Sequence, residues 1–335
     1  MKIVVLCGGI STEREVSLRT STKVSAALAL RGHQVVMIDV FFGEEKLPSF
    51  YLPMDFTAKA DEYRSKNDLI TPELIAKTGL FGPNVVEICK EADIVFIGLH
   101  GANGEDGKVQ AFFEKEGIKF TGSDSVSSAL AMSKEKTKEI VAKHIRMPKG
   151  IVLHKGETES TIKPPCIIKP SNGGSSVGVM IVKEGDDFQK NLETVFEYDN
   201  TAIVEEFVEG RELTQAVFDG KALPPVEICP DEDEWYDYSN KYNGKTKEIC
   251  PANIPESVLK EMSEKSVRFG DLLGLDVYYR IDYLLDKNGA LYALEANSLP
   301  GMTDTSLVPQ EAEAVGMDYP TLCEKIIEVS LRKYQ

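Results

Sequence analysis

At 335 residues the chain has room for two or three domains and a sizeable core. A formal net charge of −16 argues against a nucleic-acid footprint or binding to an anionic membrane surface, so any phosphate ligand must be held by a few local cations. The six cysteines (Cys7, Cys89, Cys166, Cys229, Cys250 and Cys323) have neither C-x-x-C nor zinc-type spacing and read as reduced thiols. No stretch is long and apolar enough for a signal-peptide core or a membrane span, and the expectation is a soluble, cytoplasmic protein.

Residues 2 to 7 read as a buried parallel strand. The turn Gly8-Gly9 follows, then a helix with Val16, Val24, Ala27 and Leu28 on its apolar face that ends at Gly32, then a strand from Val35 to Val40. This is a βαβ opening. The turn lacks the third glycine of a dinucleotide fingerprint and the Gly-Lys-Ser/Thr of a P-loop. Glu13 and Glu15 at the helix start would repel phosphate and suit a cationic ligand such as an amino group. Residues 41 to 82 carry little signal beyond a short helix near Thr71 to Lys77. Asp93 to Leu99 is a second buried strand, ending in the polar, glycine-rich stretch His100 to Gly107. Ligands in open α/β sheets bind beyond the carboxyl ends of strands, which places both loops at one crevice. For His100 a structural and a functional role are equally open.

A second unit begins after Gly122, with Asp124 or Ser125 as a helix cap and a further helix from Lys134 to His144, before Pro148. Strand Cys166 to Lys169 leads into the small-residue loop Pro170 to Val179, and a second strand ends at Val182. Such a loop can bring backbone N–H groups close to phosphates, with Lys169 supplying charge, or it can be a plain flexible hairpin. Ala202 to Phe207 is a strand, Gly210 marks a hinge or turn, and antiparallel strands occupy 213 to 229. The acidic, aromatic loop Asp231 to Tyr242 holds the only tryptophan, Trp235, and with its continuation to Thr246 reads as a mobile lid. A helix runs from Pro255 to Leu273, and helices at 306 to 315 and 320 to 332 close the chain. The predicted domains are 1–122, 123–208 and 209–335.

Arg280 to Asn297 contains two period-two apolar runs meeting at Asn288-Gly289, a β-hairpin signal. With Asn288 and Gly289 as the two central turn residues, Lys287 pairs with Ala290, Asp282 with Glu295 and Arg280 with Asn297, all four of the latter on one face. A turn with one extra residue plus a bulge is the competing arrangement. Two opposed carboxylates repel unless a cation lies between them, and Mg²⁺ suits oxygen donors completed by phosphate.

In this order the motifs resemble those of ATP-grasp enzymes, and more closely the D-alanine:D-alanine ligase family. The resemblance rests on Gly8 to Leu18, on His100-Gly101 with Gly104 to Gly107, and on Lys169-Pro170 with Gly174 to Gly178. It rests also on Tyr236 to Tyr238 with Lys241-Tyr242, on Arg280 to Asp282, and on Glu295 to Asn297 through Pro300 to Thr303 to Ser306-Leu307. It implies a three-part α/β and α+β architecture: an N-terminal doubly wound α/β domain and two lobes gripping ATP. It also implies joining of two D-alanine molecules through a D-alanyl phosphate, supplying D-Ala-D-Ala for peptidoglycan synthesis. The same fold could use D-serine, D-lactate or an L-amino acid as acceptor, or serve a non-catalytic nucleotide-binding regulator.

Carried over position by position, the resemblance implies catalytic roles for Glu13, Ser175, Tyr242, Arg280 and the Gly301 N–H. Glu13, Val16, His100, Ser306 and Leu307 would bind substrate. Lys134, Lys169, Gly174, Ser175, Ser176, Val177, Glu205, Phe207, Val208, Glu212 and Lys241 would bind ATP. Asp282, Glu295 and Asn297 would hold two Mg²⁺ ions, with Mn²⁺ as a substitute. A homodimer is implied by the same analogy.

Overall fold

The computed structural model describes residues 1–174, 176–229 and 246–335. The apolar run Lys2–Cys7 forms β1, which runs parallel between β2 (Gln34–Asp39) and β3 (Ile94–Ile97), with Val4 opposite both Val36 and Val95. A central strand buried on both faces must be apolar along its whole length, as this one is. Helix α1 (Arg14–Leu30) crosses over between β1 and β2 and buries Leu18, Val24 and Leu28. Val16, expected on that apolar face, is only half-buried and turns toward a cavity.

The central sheet has the order β4-β7-β5-β6, all antiparallel: β4 (Gly150–His154), β5 (Cys166–Pro170), β6 (Met180–Val182) and β7 (Thr201–Glu206). A larger antiparallel sheet follows. It contains β8 (Gly210–Phe218), β9 (Lys221–Ala222), β10 (Val226–Cys229), β11 (Lys247–Ile249), β12 (Tyr278–Asp286) and β13 (Leu291–Asn297). Its order is β11-β10-β8-β12-β13, with β9 on the side of β8. Helix Glu256–Leu273 buries Met262, Phe269 and Leu273 in one cluster with Tyr279 and Tyr283 of this sheet. The last helix, Tyr319–Arg332, returns to the first sheet, where Ile326 and Ile327 share a core with Ile3 and Val95.

Gly210 is not a turn but the first residue of β8. A Cβ there would lie 2.6 Å from the Leu285 carbonyl oxygen, so the strand pair needs a residue without one. Within 41 to 82 the expected short helix is Pro72–Thr78, capped by the Thr71 side chain, and a second helix, Phe56–Arg64, precedes it. The helix predicted to reach His144 stops at Val141.

The β12-β13 hairpin brings Asp282 opposite Glu295 and Arg280 opposite Asn297 as expected, but by a different route. The loop has three residues, Lys287 to Gly289, with Gly289 at φ +82° and the Asp286 N–H donating to the Ala290 carbonyl at 3.0 Å. That shifts the pairing by one, so Tyr283 faces Ala293. A bulge between Asp282 and Tyr283 then leaves Leu294 unpaired and restores the predicted register.

Candidate active site

The loop after β1 is shaped from beneath by a buried ion pair. Arg14 Nη2 lies 2.6 Å from Asp39 Oδ2, Arg14 also donates to the Gly9 carbonyl at 2.8 Å and to Asn67 Oδ1 at 2.7 Å, and both charged side chains are buried. Gly8, at φ +71°, must be glycine, because a Cβ would lie 2.0 Å from Asp39 Oδ2. The stretch 41 to 82 therefore contributes to the site through Asn67, which completes the donor set of Arg14 and so helps to hold the loop carrying Glu13. The Ser11 hydroxyl donates to the His100 carbonyl at 2.6 Å, so the loops after β1 and β3 meet at one crevice.

His100 is buried and bridges distant parts of the chain. Its Nδ1 lies 3.2 Å from the Leu299 carbonyl, which can only accept, so Nδ1 carries a proton, and Nε2 lies 3.1 Å from Thr20 Oγ1. Its side chain also lines a cavity of 480 Å³ together with Glu13, Val16, Arg280, Gly301, Ser306 and Leu307. A Cβ built on Gly174 would lie 3.5 Å from a Glu13 carboxylate oxygen, so the small-residue loop reaches the N-terminal domain. The Ser306 N–H is turned onto the Thr303 carbonyl at 3.0 Å, and the Ser306 hydroxyl accepts from the Thr303 N–H at 3.0 Å.

A second cavity of 420 Å³ lies between the central and C-terminal sheets, lined by Lys134, Lys169, Gly174, Ser176, Val177, Glu205, Phe207, Val208 and Glu212. Lys169 and Glu205 are adjacent-strand neighbours in the sheet, and Lys169 Nζ sits 2.7 Å from Glu205 Oε2. Lys138 Nζ holds the other oxygen at 2.6 Å. Burial alone would push Lys169 down, but attraction to Glu205 and Glu295 raises it. Burial would push Glu205 up, and the two lysines bring it below the ordinary carboxylate range instead. Lys138 was missed from sequence, although it stands four residues after Lys134 on one helix face.

The two cavities share Lys134, Gly174, Glu212, Asp282 and Glu295. Arg280 grips Asp282 through two N–H groups at 2.9 and 3.0 Å, and buried Thr214 donates to it at 2.6 Å. Lys134 Nζ lies 3.3 Å from Glu295 and donates to the Gly173 carbonyl at 2.7 Å. Among the described residues no three His, Cys, Asp or Glu side chains converge as a metal cage. The oxygen donors on the expected face are two carboxylates and the Asn297 amide, which fits a cation that draws its remaining ligands from phosphate. Beneath Arg280, fully buried Glu311 accepts the Ala216 N–H at 2.6 Å, and burial raises its carboxyl well above the ordinary range. Ser175, Lys241, Tyr242 and Trp235 lie outside the described residues, as does all of the expected lid except Thr246.

The D-ala D-ala ligase N-terminus family model matches residues 2–123, and the D-ala D-ala ligase C-terminus model matches residues 140–328. The chain belongs to the D-alanine–D-alanine ligase family. It is 40% identical to the D-alanine–D-alanine ligase of Pediococcus pentosaceus over 98% of this chain and 97% of that protein. Identity to the Lacticaseibacillus casei enzyme of the same name is 41%, over 100% and 97%. The fold is similar to that of D-alanine–D-alanine ligase from Bacillus anthracis complexed with ATP, at 30% identity, TM-score 0.78 and coverage of 99% and 98%. It is also similar to a D-Ala:D-Ser ligase from Enterococcus faecalis, at 27% identity, TM-score 0.78 and coverage of 98% and 99%. In this chain two cavities share a wall of Lys134, Gly174, Glu212, Asp282 and Glu295. No helix among the described residues is long and apolar enough to cross a membrane, and the described cysteines are all free thiols.

Proposed function

We propose that the two cavities divide one reaction between them, with ATP in the second and two amino acids in the first. The chain is an ATP-dependent, ADP-forming ligase that joins two D-alanine molecules for peptidoglycan synthesis. The observation that carries the division of labour is the shared wall of Lys134, Gly174, Glu212, Asp282 and Glu295. Phosphoryl transfer needs donor and acceptor oxygens in line, so the two ligands must meet where charge can be offset.

A carboxylate becomes open to attack by an amine only when one oxygen is made a leaving group. Transfer of the γ-phosphoryl of ATP to the first D-alanine gives an acylphosphate and ADP. The amine of the second D-alanine then adds to the acyl carbon, phosphate departs, and the amine proton is lost as the peptide bond forms. Glu13 holds the first ammonium beside Val16, with His100 bracing that wall. Lys134, Lys169, Gly174, Ser176 and Val177 hold phosphates, and Glu205, Phe207, Val208 and Glu212 hold the nucleoside; Ser175 and Lys241 complete the set by resemblance.

Arg280 and the Gly301 N–H face the oxyanion formed at the acyl carbon. The Ser306 hydroxyl and the Leu307 N–H face the second carboxylate, with Ser306's own N–H engaged by Thr303. By resemblance, Ser175 and Tyr242 would tie Glu13 to the site when it closes. Asp282, Glu295 and Asn297 would hold Mg²⁺, or Mn²⁺ in its place, which neutralises phosphate charge when bound. Boundaries at 122 and 208, a homodimer and a cytoplasmic location belong to the same proposal.

The test is ATP-dependent phosphate release over a panel of D-alanine, D-serine, D-lactate and L-alanine, with product mass. Release with D-alanine alone and a D-Ala-D-Ala product is expected. Release only with a mixed pair would overturn the acceptor assignment, and no release with any of them would overturn the activity.

A further inference from the structure

We propose that Arg19 recognises the carboxylate of the second amino acid and makes this carboxylate a condition for good acceptors. Among the described residues three cations line the first cavity. Arg280 pairs with Asp282 and Lys134 with Glu295, and both have roles on the phosphoryl and acyl side, whereas exposed Arg19 forms no ion pair within 4 Å among the described residues and its nearby carboxylate, Asp304, pairs with Lys23 instead. One turn further along α1, Lys23 pairs with Asp304 at 2.8 Å, which places this helix face beside the loop that carries Ser306. The Ser306 N–H is already spent on Thr303, so the backbone there offers the incoming carboxylate one donor fewer.

Spacing supports the pairing. Glu13, Val16 and Arg19 stand three residues apart and all line the cavity. Glu13 and Arg19 are separated by about 9 Å along the helix axis at 1.5 Å per residue. The Arg19 side chain leans toward the helix N-terminus, which shortens that gap. An extended dipeptide spans about 7 Å between its charged ends. One helix face therefore carries an anion for the ammonium end and a cation for the carboxylate end, with an apolar residue between them. This rests on the reading that Glu13 takes the first ammonium.

The experiment compares D-alanine with D-alaninamide as acceptor in the parent enzyme, Arg19→Ala and Arg19→Lys. D-Alaninamide keeps the attacking amine and lacks the negative charge. For Arg19→Ala, kcat/KM for acceptor D-alanine should fall by about ten- to a hundredfold, the usual effect of losing a charged hydrogen bond. D-Alaninamide use should stay within about threefold, and Arg19→Lys should recover part of the loss because it keeps the charge but not the fork. Unchanged D-alanine use in Arg19→Ala would overturn the proposal, and so would equal losses on both acceptors. If the parent forms no dipeptide, the functional reading itself fails, a result distinct from either.

Discussion

Replacing Glu205 by glutamine keeps the side-chain shape and removes a charge shared by two lysines, Lys138 at 2.6 Å and Lys169 at 2.7 Å. Glu205 is 4% exposed and Lys169 8%, so water cannot take over the neutralisation. Removing one partner from a buried ion pair costs about 3–5 kcal/mol, because the remaining charge stays desolvated. With a urea slope near the top of the ~1–3 kcal/mol per M range, the unfolding midpoint should fall by about 1–2 M. The pH dependence has a definite sign. Glu205 titrates below its ordinary value in the fold, so its contribution is present above about pH 4.3 and is lost as pH falls through the folded value. Lys169 is raised, so its contribution is present below about pH 10.4 and is lost above that. The gap between parent and Glu205→Gln should be widest between those limits. A gap below about 0.5 kcal/mol at pH 7, the range of ordinary surface substitutions, would refute the charged triad.

Other perturbations separate the roles proposed for the site. Glu295→Gln should abolish turnover with the circular dichroism spectrum unchanged, and activity within a few fold of the parent at saturating Mg²⁺ would reassign the metal face. Lys169→Ala should weaken ATP binding, read by calorimetry, more than D-alanine binding, and equal ATP affinity would count against the phosphate assignment. Thr214→Val removes the 2.6 Å hydrogen bond that orients Asp282 and should lower apparent Mg²⁺ affinity by about 10–100-fold, with D-alanine affinity unaffected. Glu311 has a raised carboxyl, so the parent loses stability as pH rises through the ordinary glutamate range, with a slope of about 1.4 kcal/mol per pH unit. Glu311→Gln lacks that slope, and urea unfolding at pH 5 and pH 7 should show the variant gaining on the parent.

Much of the architecture was legible because burial writes plain patterns. β1 and β3 are apolar along their length, and the helix Glu256–Leu273 follows Pro255 with its buried residues at helical spacing. Short or half-exposed elements were harder. β4 is five residues with one buried side chain, and Lys108–Glu116 buries Val109 and Phe113 under a charged surface. The ion pair of Arg14 and Asp39 left no local trace, since its members are 25 positions apart and the need for them arises only when β1 and β2 lie side by side. Arg19 escapes notice for a related reason. A single arginine on an exposed helix face is ordinary, and it gains meaning only when the loop around Ser306 closes the cavity opposite it.

The face carrying Asp282 and Glu295 shows why a correct register can follow from an incomplete local argument. Counting back from a two-residue turn at Asn288-Gly289 predicted Asp282 against Glu295. The chain instead forms a three-residue turn, in which Asp286 Oδ1 accepts the N–H groups of Asn288 at 2.9 Å and Ala290 at 2.7 Å. Had nothing else changed, every pair beyond the turn would have slipped by one, placing Glu295 on the face opposite Asp282. The bulge at Leu294 absorbs that slip next to the carboxylates. Side-chain alternation supplies a reason for its place: Leu294 lines the cavity between the central and C-terminal sheets, while Ala293 and Leu291 remain buried in the C-terminal core. Without the bulge, Glu295 would turn toward that core, where an unpaired carboxylate is costly. The register is therefore set at both ends, by turn chemistry at Asp286 to Ala290 and by the need to bring two acids to one wall.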